Sequence, residues 1–163
     1  MSTHPFDALT LDNGAQLIFT PCPGTKEASL TDSVATLKQA GTDMLLTLMF
    51  DKEMAANNAE SLPTVCSDNN IVWAQLPILD DAAPSDDFEA AWATYRSQIL
   101  ALIANKGKIA VHCKGGTGRT GLVIGLILLA QGWPVDKVVA EVQNIRPKAL
   151  RNPVQLAYLH AYA

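Results

Sequence analysis

At 163 residues the chain is long enough for one complete hydrophobic core and short for two. With 48% hydrophobic and 17% charged residues it reads as an ordinary folded globule, which excludes a disordered, collagenous or polar-tract chain. A formal net charge of −4 argues against nucleic acid or an anionic membrane as a bulk partner.

The first residues, Met1-Ser2-Thr3-His4-Pro5-Phe6-Asp7, show no basic stretch followed by an apolar one, so no leader is expected. Residues 8–11 and 16–19 flank Asp12-Asn13-Gly14, the pattern of a hairpin at a sheet edge. Residues 30–40 carry Leu30, Val34 and Leu37 at helical spacing and stop at Gly41. The unbroken apolar run 44–49 predicts a central strand covered on both faces, and residues 51–58 and 62–67 predict two short, polar surface helices. Strand 71–76 leads into the loop Pro77-Ile78-Leu79-Asp80-Asp81-Ala82-Ala83-Pro84.

Asp86 reads as the N-cap of a helix over 87–104, with Glu89 at the capping-box position and Phe88, Trp92, Tyr95, Ile99 and Leu102 on its apolar stripe. Strand 109–111 follows, then helices over 119–131, 134–145 and 153–162, the last two opened by Pro134 and Pro153. The apolar run 122–130 is too short to span a bilayer and reads as a buried core helix. Strands alternating with helices predict an α/β fold, a single domain over 1–163 with a mostly parallel twisted sheet flanked by helices.

The chemistry concentrates between strand 109–111 and its following helix, in His112-Cys113-Lys114-Gly115-Gly116-Thr117-Gly118-Arg119-Thr120. Three glycines let the backbone turn tightly and aim several N–H groups at one centre, and the helix adds its positive end, so residues 114–118 predict an anion cradle. The same groups favour the thiolate of Cys113, the nucleophilic form, and Arg119 can fork two oxygens of a phosphate held in front of that sulfur. Thr120 can donate to the sulfur when thiolate is the leaving group, and His112 is expected to orient the loop rather than act as a base. A proton donor for the departing oxygen is also needed. Asp80 and Asp81, on a loop leaving a strand end, are the candidates, and the order of elements alone does not choose between them.

Three other readings of the stretch are weaker. Gly116-Thr117-Gly118-Arg119-Thr120-Gly121 fits a dinucleotide fingerprint, but Glu141 lies inside a helical pattern where that fold needs an acidic residue ending a strand ~20 residues on. A Walker A loop fails for want of Gly-Lys-Ser/Thr. A purely structural cysteine sits poorly among glycines and cations. Cys22, Cys66 and Cys113 are odd in number and scattered, which suggests neither a disulfide framework nor a zinc site and points to a reduced, cytoplasmic setting.

With Cys113 and Arg119 separated by five residues, the segment His112 to Thr120 resembles the signature of the cysteine-based protein-tyrosine-phosphatase superfamily. Pro77-Ile78-Leu79-Asp80 resembles that superfamily's Pro-Ile-x-Asp loop, a likeness that implies Asp80 as the general acid and base. Arg146-Pro147-Lys148-Ala149-Leu150-Arg151-Asn152-Pro153-Val154-Gln155 resembles its Arg-Pro-Gly-Ala segment, with Lys148 and Asn152 in place of glycine and threonine. By that likeness Gln155 helps orient the hydrolytic water and Arg146 is a buried structural cation. Together with Pro23-Gly24-Thr25-Lys26 and Tyr158-Leu159-His160, these motifs look closest to the kinase-associated phosphatase branch of the dual-specificity group.

The resemblance implies hydrolysis of phosphotyrosine, and of phosphoserine or phosphothreonine, in a phosphorylated protein substrate, with no cofactor, metal, nucleic-acid or membrane partner. One alternative keeps the fold and takes phosphoinositides or other small phosphate monoesters. Lys114 suits it, whereas Thr117 stands where such enzymes carry a second lysine. The other is a catalytically silent phosphopeptide-binding module, a class that usually lacks the cysteine, the arginine or the acid.

Overall fold

The computed structural model describes residues 4–26 and 28–163, so the reading of residues 1–3 as part of a leader-free start lies outside the described residues. Strands β1 (Asp7–Thr10) and β2 (Gln16–Thr20) form the expected hairpin. Gly14 turns it at φ 96°, and Asn13 Oδ1 accepts the N–H of Ala15 at 2.9 Å. β2 then pairs in parallel with β5 (Lys108–His112), β5 with β3 (Met44–Thr47), and β3 with β4 (Val72–Gln75). The order β1-β2-β5-β3-β4 puts β5, the strand that feeds Cys113, at the centre. One antiparallel edge strand on an otherwise parallel sheet is the mostly parallel α/β architecture expected from the sequence.

Strand periodicity sorts the core into two layers. Ile18, Leu45 and Ala110 face α1 (Leu30–Gln39), α2 (Asp51–Ala56) and α3 (Leu62–Asp68), packing with Val34, Leu37, Met54, Leu62 and Cys66. Their neighbours Phe19, Leu46, Ile109 and Val111 face α4 (Asp86–Ala104), α5 (Gly118–Ala130), α6 (Val135–Ile145) and α7 (Pro153–Tyr162). Both faces are therefore covered, as continuous apolar strands require. β3 ends at Thr47, short of the apolar run, although Leu48 and Met49 remain fully buried. Burial keeps a segment apolar after strand pairing has stopped.

α5 is buried along ten consecutive residues from Arg119 to Leu128, and from Gly121 onward it is apolar on every side and runs through the interior. At Gly121 an added Cβ would lie 2.7 Å from the Cβ of Ala149, so the absent side chain lets the 146–150 segment rest against α5. Two details differ from the sequence reading. The N-cap of α4 is Ser85, not Asp86, which is already helical, and no side chain closes the cap. Asp86, Asp87 and Glu89 instead crowd the first turn, where the helix dipole favours negative charge, and Glu89 accepts a hydrogen bond from the Tyr158 hydroxyl. Pro134 is likewise the N-cap of α6 rather than its first helical residue. Among the described residues no helix is long and apolar enough to cross a membrane.

Candidate active site

The loop joining β5 to α5 begins at Cys113, 4% exposed, and closes into the helix at Gly118. Among the described residues, no protein group accepts the backbone N–H of Lys114, Gly115, Gly116 or Thr117. Four free donors on a tight turn ahead of a helix N-terminus can cradle an anion. Gly116 is what closes the turn: it sits at φ 79°, and a Cβ there would fall 2.6 Å from the carbonyl carbon of Thr20 and 2.7 Å from Pro21 N. The loop is tied to β2 from the other side by Cys22 N–H, which donates to Lys114 O at 3.0 Å. The Lys114 side chain is exposed at the rim.

Two side chains reach Cys113 from within its own segment. Thr120 Oγ1 donates to Cys113 Sγ at 3.3 Å. His112 is fully buried, with Nδ1 3.1 Å from Cys113 O and Nε2 2.7 Å from Thr47 Oγ1. Burial pushes its pKa down to about 4, helped by the nearby positive charge of Arg119 and by His4 and opposed by the bond to Cys113 O. The imidazole is therefore neutral near pH 7, which suits an orienting group. Burial also pushes the thiols of Cys22 and Cys66 up to about 12, so both stay protonated.

Arg119 is 1% exposed, a charge that the interior holds only because it is paired. Glu53 grips it bidentately, Oε1 to Nη1 at 2.7 Å and Oε2 to Nη2 at 2.8 Å, and Ile78 O accepts from Nη1 at 3.0 Å. Burial alone works against the cation. The Glu53 hydrogen bonds, with the charges of Cys113, Glu53 and Asp80, outweigh it and raise the pKa above the ordinary arginine value. Among the described residues Arg119 Nε is buried and finds no hydrogen-bond partner. Asp80 reaches toward the same guanidinium, with Oδ1 3.6 Å from Nη2, while its side chain stays 67% exposed. Asp81 is not brought in; it takes φ 58° and contributes its backbone carbonyl to Asn152 Nδ2 at 3.3 Å.

The 146–155 segment fastens this arrangement. Asn152 caps α7, its Oδ1 accepting from Val154 N–H at 2.9 Å, so the asparagine does the local work of a capping threonine. Gln155 is 2% exposed, donates from Nε2 to Ala82 O at 3.3 Å, and has its Oε1 3.7 Å from where a Cβ on Gly118 would stand. It thus bonds to the 77–84 loop and lies against the start of α5. Arg146 lies behind the cradle: Nε donates to Gly116 O at 3.0 Å, Nη2 to Phe19 O at 3.3 Å, and Nη1 pairs with Asp7. Thr117 occupies the N-cap position of α5 without a capping bond.

Glu53 is the residue that sequence reasoning missed. It sits on a six-residue helix whose polar composition suggested a plain surface element, yet Met54 beside it is buried and anchors the helix against the core. The one available signal was the need for a counter-charge to a buried arginine, and that burial is itself a tertiary fact. Among the described residues no group of three or more His, Cys, Asp or Glu is placed to hold a metal ion.

Comparisons with known proteins bear on the family and the fold. A family model described as "Polymorphic toxin system, DSP-PTPase phosphatase" matches residues 22–133, more than half of the chain. Tyrosine-protein phosphatase CDC14 of Candida albicans is 48% identical over 61 residues, covering 36% of this chain and 11% of that protein. The chain thus spans only about a tenth of the length of the CDC14 proteins it matches. Among solved structures, kinase-associated phosphatase with its catalytic-site cysteine replaced by serine superposes with TM-score 0.86 at 20% identity, over 99% of this chain and 94% of that one. PTPMT1 in complex with PI(5)P superposes with TM-score 0.68 at 16% identity, over 90% and 88%. The chain belongs to the DSP-PTPase phosphatase family of polymorphic toxin systems, within the dual-specificity protein-tyrosine-phosphatase superfamily.

Proposed function

We propose that the chain is a cysteine-dependent phosphoric monoester hydrolase acting on phosphotyrosine, and on phosphoserine and phosphothreonine, in proteins, and that it serves in a polymorphic toxin system as its family's description states. The observation that carries the reading is a loop with four free N–H groups that begins at Cys113 and runs into the helix of Arg119, whose buried Nε has no partner among the described residues. An orphaned buried donor costs ~1–3 kcal/mol, and a phosphate oxygen would satisfy it.

In the proposed mechanism the Cys113 thiolate attacks phosphorus in line, forming an S–P bond as the P–O bond to the leaving group breaks. Arg119 forks two equatorial oxygens from Nε and Nη2, the cradle N–H groups take the developing charge, and Asp80 gives its proton to the departing oxygen. Asp80 then removes a proton from water as it attacks the phosphocysteine, with Gln155 orienting that water, and the S–P bond breaks to return thiolate held by Thr120. Every role falls to a residue of the chain, so no step calls for a cofactor.

The test is hydrolysis of a phosphotyrosine peptide, a phosphothreonine peptide and a phosphoinositide by the purified protein in chelator and reductant, beside Cys113→Ser. Peptide turnover that the serine variant loses supports the reading. Preference for the lipid would move it to the small-monoester alternative, and turnover persisting in Cys113→Ser would overturn the phosphocysteine step. Binding of phosphopeptide with no turnover by the wild type would make it a recognition module.

A further inference from the structure

Below the cradle, Thr20, His112, Thr47 and Gln75 stand in one register across β2, β5, β3 and β4, so their side chains emerge on the same face of the sheet. Both threonines meet a buried histidine, and the two meetings differ. Thr20 Oγ1 lies 2.6 Å from His4 Nε2 and donates its own proton to Pro5 O at 2.9 Å. With its proton placed there, Thr20 accepts from the histidine, and His4 Nε2 carries the hydrogen, as the nearby Pro21 O at 3.1 Å also requires. Thr47 has the opposite neighbour. Trp73 Nε1, which can only donate, points at Thr47 Oγ1 at 2.8 Å, and among the described residues the sole other polar partner of that hydroxyl is His112 Nε2.

We infer that Trp73, acting through Thr47, fixes the tautomer of His112 and with it the orientation of the Cys113 carbonyl, making Trp73 and Thr47 positioning residues for the nucleophile. The indole N–H occupies Thr47 as an acceptor, so the threonine hydroxyl donates to His112 Nε2. The imidazole must then carry its hydrogen on Nδ1, which donates to Cys113 O at 3.1 Å. Donors run one way, from Trp73 on the edge strand to the peptide group of the nucleophile. If the tautomer reversed, the Nδ1 lone pair would face the lone pairs of Cys113 O, and the carbonyl would swing toward the sulfur. Its partial negative charge would oppose the thiolate.

The inference rests on the phosphatase reading only for its effect on turnover. Other polar, titratable and charged groups surround this segment: Thr120 from α5 donates to Cys113 Sγ, Arg119 lies on the same helix with Glu53 from α2 and Asp80 from the 77–84 loop paired to it, and Cys22 lies just past β2. The relay variants leave all of them in place. Trp73 is half-buried on strand β4 and joins the cluster opposite Cys113, so Trp73→Phe keeps the ring and removes the donor.

The experiment has two readouts that need no substrate. Long-range 1H–15N NMR of the imidazoles in the full chain should show His112 as the Nδ1–H tautomer and His4 as the Nε2–H tautomer. The rate of Cys113 alkylation by iodoacetamide against pH reports its thiolate, since Cys22 and Cys66 are held near 12. In Trp73→Phe the Nε2–H tautomer of His112 should become populated and the alkylation inflection should rise by on the order of one pH unit. Thr47→Val should shift the inflection as far or further, Thr47→Ser should restore it, and kcat should fall roughly tenfold with KM little changed, the rate equivalent of one net hydrogen bond. A wild-type His112 with hydrogen on Nε2, or an unmoved inflection in Trp73→Phe, overturns the relay. A relay that behaves as described in a chain that hydrolyses no phosphate ester would instead remove the phosphatase reading and leave the relay standing.

Discussion

A buried guanidinium whose Nε has no partner among the described residues makes specific demands on its neighbours. Glu53 meets the other side of Arg119 with two hydrogen bonds, so Glu53→Ala would strip the partner from a charge that is 1% exposed. Breaking such a pair costs roughly 3–5 kcal/mol in folding stability, at the lower end here because Glu53 is itself 25% exposed. Urea unfolding should show that loss, and orthovanadate, which mimics the pentacoordinate phosphorus, should bind more weakly in the same variant. Asp80 differs: its carboxylate is largely in solvent and adds little to stability, so Asp80→Ala should unfold almost as the wild type does. On the proposed mechanism it should lower kcat by ~10²–10⁴, most for esters with poor leaving groups. Asp81→Ala should leave kcat near wild type, because among the described residues it is Asp80, not Asp81, that pairs with Arg119.

Among the elements, α5 does two jobs that conflict in composition. Its N-terminus needs a charged arginine, and the rest needs an unbroken apolar surface, so Arg119 enters the core on the same helix as Leu122 and Ile124. The conflict is resolved by α2, which carries Glu53 on one side and buries Met54 on the other. Gly121 settles a second packing problem by admitting Ala149 close to the helix axis. Gly121→Ala should therefore overpack this contact and cost ~1–3 kcal/mol in a denaturant melt. Because the displaced segment carries Arg146, whose Nε holds Gly116 O, the variant should also lose activity beyond what its stability explains. Equal activity in Gly121→Ala would show that the 146–150 segment does not set the cradle.

For the whole molecule, the two buried histidines give a pH dependence whose sign follows from their environment. Burial lowers both His4 and His112 to about 4 in the folded state, against about 6.5 in an unfolded chain. The unfolded chain therefore binds more protons between those values, and stability falls as pH drops from 6.5 toward 4. The loss is on the order of 3 kcal/mol for each histidine when complete. Urea midpoints measured from pH 7 to 4.5 should decline over that window, and His4→Gln should flatten part of the decline. A midpoint that stays level to pH 4.5 would mean that these histidines ionise without unfolding.

Much of the molecule was legible in the sequence because its signals are local. Periodicity placed the helices and strands, Asn13-Gly14 marked the hairpin, and the His112 to Thr120 stretch carried the cradle, since glycine spacing and a strand–turn–helix order are properties of neighbouring residues. Family likeness favoured Asp80 over Asp81, a choice that the proposed mechanism adopts. What only the tertiary structure decided depends on residues far apart in sequence and on burial: the Glu53 grip on Arg119, the Gln155 bond to the 77–84 loop, the Arg146 brace, and the Trp73 to Thr47 to His112 chain. Electrostatic and hydrogen-bond demands of this kind arise when the fold removes water from a charge, and no local pattern records which distant group will meet them.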